Sequence, residues 1–143
     1  MTSSSARVLV LDGHPDATSL CAGLASAAAE AAQGRGAEVK LLHLSAMAFD
    51  PNLAGGYKTR QEMEPDLVAF LESVRWCDTL ILVHPMWWGA APAKLKGLFD
   101  ASNYPTQDEL RGKFKHSVRF MPVPDEDDFR VDLGDEHIDM IAT

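Results

Sequence analysis

Two short segments hold the residue types that could do chemistry. The first is Gly13-His14-Pro15-Asp16-Ala17-Thr18-Ser19-Leu20-Cys21. It joins an apolar run to an alanine-rich stretch, so it stands where a helix begins. A helix N-terminus offers N–H groups and a partial positive charge, which suit a phosphate. Thr18 and Ser19 add hydroxyl donors, and His14 adds an imidazole donor. A plainer reading stands beside this one: Thr18 or Ser19 only caps the helix. The segment is neither a GxGxxG fingerprint nor a Walker loop, which argues against a nicotinamide Rossmann site and a P-loop ATPase. The second segment is His84-Pro85-Met86-Trp87-Trp88-Gly89, running on through Ala90-Ala91-Pro92-Ala93-Lys94-Leu95-Lys96-Gly97. It follows Thr79-Leu80-Ile81-Leu82-Val83, which reads as a strand buried on both faces. Open α/β sheets bind ligands at that end of their strands. An aromatic loop with backbone N–H groups suits a flat, conjugated ligand. The alternative is that Trp87 and Trp88 are core or interface aromatics.

The elements that must position these loops alternate regularly. Arg7-Val8-Leu9-Val10-Leu11-Asp12 reads as a strand. An alanine-rich helix follows from Thr18 or Ser19 to Gln33 and ends at Gly34 and Gly36. A second strand covers Glu38 to Leu44, and Ser45 to Thr59 reads as a loop with turn signals at Asp50-Pro51-Asn52 and Gly55-Gly56. Leu67, Val68, Phe70, Leu71 and Val74 have helical spacing between Pro65 and Trp76. The third strand covers residues 79 to 83, and a third helix begins at Pro92 and runs to Phe99. Strand and helix in strict alternation imply an α/β fold: a parallel sheet, doubly wound, with helices on both faces.

The last third differs. Leu110-Arg111-Gly112-Lys113 reads as a turn before a fourth strand at Ser117 to Val123. From Pro122 onward there are eight acids against one base, Arg130. His137-Ile138-Asp139-Met140-Ile141 is a candidate for one more short element. The organisation expected is a single domain over residues 1 to 143, with a flexible N-terminus at 1 to 6 and an acidic, irregular tail at 122 to 143.

Composition bounds the partners. The chain has 143 residues, 46% of them hydrophobic and 24% charged, and a formal net charge of -8. That charge argues against nucleic acid or an anionic membrane as the main partner. There is no run of about 18 apolar residues that would span a membrane. The N-terminal residues lack a signal-peptide pattern, so a cytoplasmic location is expected. Cys21 and Cys77 read as reduced, structural thiols. The five histidines are scattered and form no metal-ligand pattern. Ser19 is not in a GxSxG elbow. Asp12 ends a strand as a phosphoryl-accepting aspartate would, but no downstream Lys or paired acid supports that chemistry.

A phosphate loop and a planar-ring loop on neighbouring parallel strands together describe a flavin nucleotide. On these residues the chain resembles the flavodoxin-like NAD(P)H:quinone oxidoreductase family. The resemblance rests on His14 with Thr18-Ser19-Leu20, and on Pro85 through Gly89 with Pro92-Ala93-Lys94-Leu95-Lys96-Gly97. Phe49-Asp50-Pro51-Asn52-Leu53 and Arg75-Trp76-Cys77-Asp78 add to it, and the likeness covers residues 7 to 100.

The resemblance implies a three-layer sandwich with strand order 2-1-3-4-5 and bound FAD or FMN. It also implies NAD(P)H as co-substrate, a homodimer, and two-electron reduction of quinones or similar acceptors. Carried over by position, His14, Thr18, Ser19, Leu20 and Cys21 contact the flavin phosphate and ribityl chain. The family often has Asn where this chain has Cys21. Pro85, Met86, Trp87, Trp88 and Gly89 line the isoalloxazine ring. Hydride chemistry belongs to the flavin, so no acid, base or nucleophile is expected of the protein.

Between Phe99-Asp100-Ala101-Ser102-Asn103-Tyr104-Pro105 and Leu110-Arg111-Gly112-Lys113 the segment looks shortened against the family pattern. The expected order is therefore 2-1-3-4(-5), with the last strand and helix missing and an open sheet edge. Two other functions follow from that departure or from the fold: a truncated, catalytically inactive module, and a one-electron flavodoxin-type carrier.

Overall fold

The computed structural model describes residues 5–59, 61–102, 120–122 and 140–142. Three strands, β1 (Arg7–Asp12), β2 (Glu38–His43) and β3 (Thr79–His84), alternate with three helices, α1 (Leu20–Gly34), α2 (Pro65–Trp76) and α3 (Ala93–Ala101). Two three-residue strands, β4 (Phe120–Pro122) and β5 (Met140–Ala142), complete a parallel five-stranded sheet.

β1 lies at the centre, in register with β2 from Arg7↔Glu38 to Asp12↔His43 and with β3 from Val8↔Thr79 to Asp12↔Val83. Its apolar run is continuous because both faces are covered. Val8 and Val10 pack with Cys21, Ala25 and Ala29 of α1. Leu9 and Leu11 point the other way, into a cluster with Leu67, Phe70 and Val74 of α2 and Leu95 and Leu98 of α3. Alanines at the buried positions of α1 bring that helix close to the sheet. Arg7 and Asp78 clip the start of β1 to the start of β3 through a 2.8 Å ion pair.

The starts of α1 and α2 fall where the sequence places them, while α3 runs two residues past Phe99, to Ala101. Ser19 has extended backbone (φ -72°, ψ 161°) and its hydroxyl accepts the Ala22 N–H, capping α1. A serine cap of this kind satisfies one of the donors that the first helical turn leaves unpaired. Pro65 occupies the first turn of α2, where a missing N–H costs nothing. Gly97 has a packing role. A Cβ there would lie 2.3 Å from the Pro51 Cβ and 2.5 Å from its carbonyl oxygen, so only glycine lets α3 seat against the loop between β2 and α2.

The 2-1-3 core of the expected order is present. Beyond it the sheet runs β2-β1-β3-β5-β4. The strand expected to be missing is therefore there, and it pairs with β3 through Leu82↔Met140 to His84↔Ala142. It coincides with the short element anticipated near His137 to Ile141. Its physical role is to satisfy backbone groups on the outer side of β3 that an open edge would leave unpaired. Ser5 and Ala6 bond to β2 and its approach, through Ser5 Oγ to Gly36 O and Glu38 N–H to Ala6 O. The expected fourth strand begins three residues before β4, at Ser117. That part, the acidic stretch at 123–139 and residues 1–4 lie outside the described residues.

Candidate functional site

The chain leaves β1 for β2 on one side and returns to β3 on the other. The carboxyl ends of β1 and β3 are thus the switch point of the sheet, where open α/β folds hold ligands. The two chemically promising loops both start there. They also touch. The His14 ring meets the Trp87 ring edge-on, with centroids 5.4 Å apart and planes at 83°. The Gly13 N–H donates to the Val83 carbonyl at 2.7 Å, which extends the sheet pairing into the first loop.

The first loop is tightly folded. Its His14 Nδ1 accepts the Asp16 N–H at 2.9 Å, so the ring proton sits on Nε2. The Asp16 carboxylate accepts both the Thr18 N–H and the Thr18 hydroxyl, each at 2.9 Å. Those bonds, first the backbone one and then the hydroxyl, lower the Asp16 pKa from its ordinary value. Thr18 therefore spends its two donors within the loop. Ser19 serves as the cap, with a hydroxyl proton still available to a ligand. Leu20 lies at the helix start with its side chain exposed, and Cys21 turns its thiol into the α1 core. The Cys21 side chain packs there with Val8, Val10, Ala25 and Val83.

The second loop turns sharply. Trp87 and Ala90 exchange backbone hydrogen bonds of 2.9 and 3.0 Å. The two residues between them both have positive φ, 53° at Trp88 and 71° at Gly89. That pattern is the one a type I′ turn requires. Glycine takes such a conformation freely, whereas a tryptophan there is an outlier. Pro85 is buried, while Met86, Trp87 and Trp88 are exposed, Trp88 completely. With Leu20 they make up four of the five large exposed apolar side chains among the described residues. Side chains left in water at a switch point are poor core aromatics and good walls for a flat ligand.

Beneath the first loop lies a polar pair, Asp12 and His43, that no sequence motif marks. Asp12 is fully buried; its Oδ1 accepts the His14 N–H at 3.1 Å and its Oδ2 accepts from His43 Nδ1 at 2.9 Å. Buried His84 donates from Nδ1 to the Pro85 carbonyl at 2.8 Å. A signal existed: Arg7 and Glu38 each begin a strand, so equal counts put Asp12 opposite His43. Among the described residues no group of three His, Cys, Asp or Glu is arranged to hold a metal ion. No helix of the described residues is long and apolar enough to cross a membrane.

Comparison with known proteins agrees with this geometry. Residues 6–107 match the family described as having the flavodoxin-like fold. The chain belongs to the flavodoxin-like fold family. NAD(P)H dehydrogenase (quinone) 1 of Cavia porcellus is 32% identical over 114 residues, covering 66% of this chain and 42% of that protein. The iron-sulfur flavoprotein of Methanosarcina thermophila is 30% identical over 99 residues, covering 67% of this chain and 52% of that one. Among solved structures, NAD(P)H:quinone oxidoreductase from Methanothermobacter marburgensis superposes with a TM-score of 0.59 at 26% identity, covering 69% of this chain and 54% of that one. The chain spans about half the length of the curated relatives it matches, 42% to 52%.

Proposed function

We propose that this chain binds FAD or FMN at the β1/β3 switch point and serves an NAD(P)H oxidoreductase that reduces quinones or similar acceptors. The observation that supports the reading best is the His14–Trp87 contact. It joins a donor-rich helix N-terminus to an exposed aromatic wall, the two halves that a flavin nucleotide requires. Relatives named as NAD(P)H quinone oxidoreductases and as a flavoprotein support it further.

The residues present fit the group. His14 Nε2–H, the Ser19 hydroxyl and the first turn of α1 at Leu20 and Cys21 would hold the phosphate and ribityl chain. Met86, Trp87 and Trp88 would flank the ring, with Pro85 and Gly89 shaping the backbone around it. Backbone N–H groups in the Pro85–Gly89 loop would favour negative charge on the ring. When bound, the flavin supplies hydride acceptance from NAD(P)H and two-electron delivery to the acceptor. The exposed apolar rim suits a homodimer whose partner covers the ring.

Titration of the purified chain with FMN and with FAD tests the reading. At least one should bind at one per chain with quenched flavin emission, and NAD(P)H should then bleach the bound flavin until menadione restores it. A chain that binds neither flavin overturns the proposal. Binding without any bleaching by NADH or NADPH would leave a flavin-binding module that is not this oxidoreductase.

A further inference from the structure

We propose that Asp12 is a positioning residue of the candidate flavin site, holding His14 in place while His43 holds the Asp12 carboxylate. The inference rests on the flavin reading above but concerns residues which that reading does not use.

Asp12 is the one acid fully buried among the described residues, at 0% exposure. Burying a carboxylate is costly unless its oxygens are bonded. An apolar residue would simply continue the run Val8-Leu9-Val10-Leu11 at no such cost. What the carboxylate adds is two acceptors aimed in different directions. One takes the His14 N–H at 3.1 Å; the other takes the proton on His43 Nδ1 at 2.9 Å. His43 stands directly opposite on β2, so the second bond orients the carboxylate for the first. His14 is thereby held at two points: its backbone by Asp12 and its ring Nδ1 by the Asp16 N–H at 2.9 Å. The second bond fixes the tautomer that leaves Nε2 as the donor. The first fixes where that donor sits, against Trp87. A chain of contacts, His43–Asp12–His14–Trp87, thus runs across the rim of three adjacent strands.

Two substitutions separate positioning from mere packing. Asp12→Asn keeps an oxygen for the His14 N–H; Asp12→Leu removes it. Asp12→Leu should weaken binding of the preferred flavin, FMN or FAD, about tenfold or more, as expected for a lost hydrogen bond to a charged group. Asp12→Asn should stay within about threefold, and in a His14→Ala background Asp12→Leu should add less than about threefold. Equal losses for Asn and Leu, or full additivity with His14→Ala, overturn the proposal. Where Asp12→Leu does not fold, His43→Leu replaces it, with the same dependence on His14 expected. If the unaltered chain binds neither flavin, the functional reading fails and amide hydrogen exchange decides this one. The His14 N–H should then exchange slowly in the unaltered chain and in Asp12→Asn, and about tenfold faster or more in Asp12→Leu or His43→Leu. An unchanged His14 exchange rate in the Leu variants overturns it.

Discussion

Single side chains at the switch point are held against their local preference. Trp88 is the clearest case. Its φ of 53° is left-handed, and its full exposure returns no packing. For a bulky residue that conformation costs about 1–2 kcal/mol. Asparagine tolerates it far better. Trp88→Asn should therefore raise stability to urea by about 1 kcal/mol while weakening flavin binding, if the indole walls the ring. A variant that is no more stable and binds flavin unchanged would remove both the strain and the role. Asp16 gives a pH prediction with a definite sign. Its folded pKa is depressed below 3.8 by the Thr18 N–H and then the Thr18 hydroxyl. Its contribution is thus present above the unfolded pKa and lost as pH falls through the lower, folded one. A 13C titration should find Asp16 below 3.8. Thr18→Val, which keeps only the backbone donor, should move it part of the way back.

At the scale of elements, the helices and central strands were legible because each has its own punctuation. Ser19 capping α1, Pro65 opening α2, and the continuous apolar runs of β1 and β3 are local signals, and the structure follows each. What was not legible lies between elements. Asp12 and His43 carry no motif in sequence; only parallel register brings them together. The helical phase of α1 also turns the Cys21 side chain into the core, which its place beside the loop does not announce. The Gly97–Pro51 contact is another such case, since nothing local marks that glycine as the seat for a loop 46 residues earlier. Gly97→Ala drives a methyl group into the Pro51 backbone, so the loop or α3 must shift. Overpacking of this kind costs about 1–3 kcal/mol. Urea unfolding should show that loss, and Gly34→Ala, with nothing within 4 Å of its added Cβ, should show none of comparable size.

For the whole molecule, the outer sheet was the least legible part, because three-residue strands carry almost no periodicity. β5 pairs with β3 and β4 takes the edge, so strand order beyond the core follows pairing partners that no local pattern announces. The two candidate loops, by contrast, depend on the central 2-1-3 core alone. Residues 12 to 21 and 84 to 90 meet only when β1 and β3 are paired, so a flavin should bind the folded chain and not the unfolded one. Linkage then fixes the size of the effect. At a free flavin concentration one hundred times Kd, unfolding should cost about 2.7 kcal/mol more. For a domain of this size that is an upward shift in Tm of roughly 10 °C. The tryptophans provide the control. Trp76 lies far from the loops, at the end of α2 beneath Lys40 Nζ, 4.5 Å from its ring. Trp76→Ala should lower Tm without flavin yet keep the flavin-induced shift, because it removes packing and not the site. Trp88→Ala should do the reverse, with little change in the flavin-free Tm and most of the shift gone. Equal loss of the shift in both variants would mean that flavin affinity follows general stability, and that the aromatic turn at Trp87 to Ala90 is not part of the site.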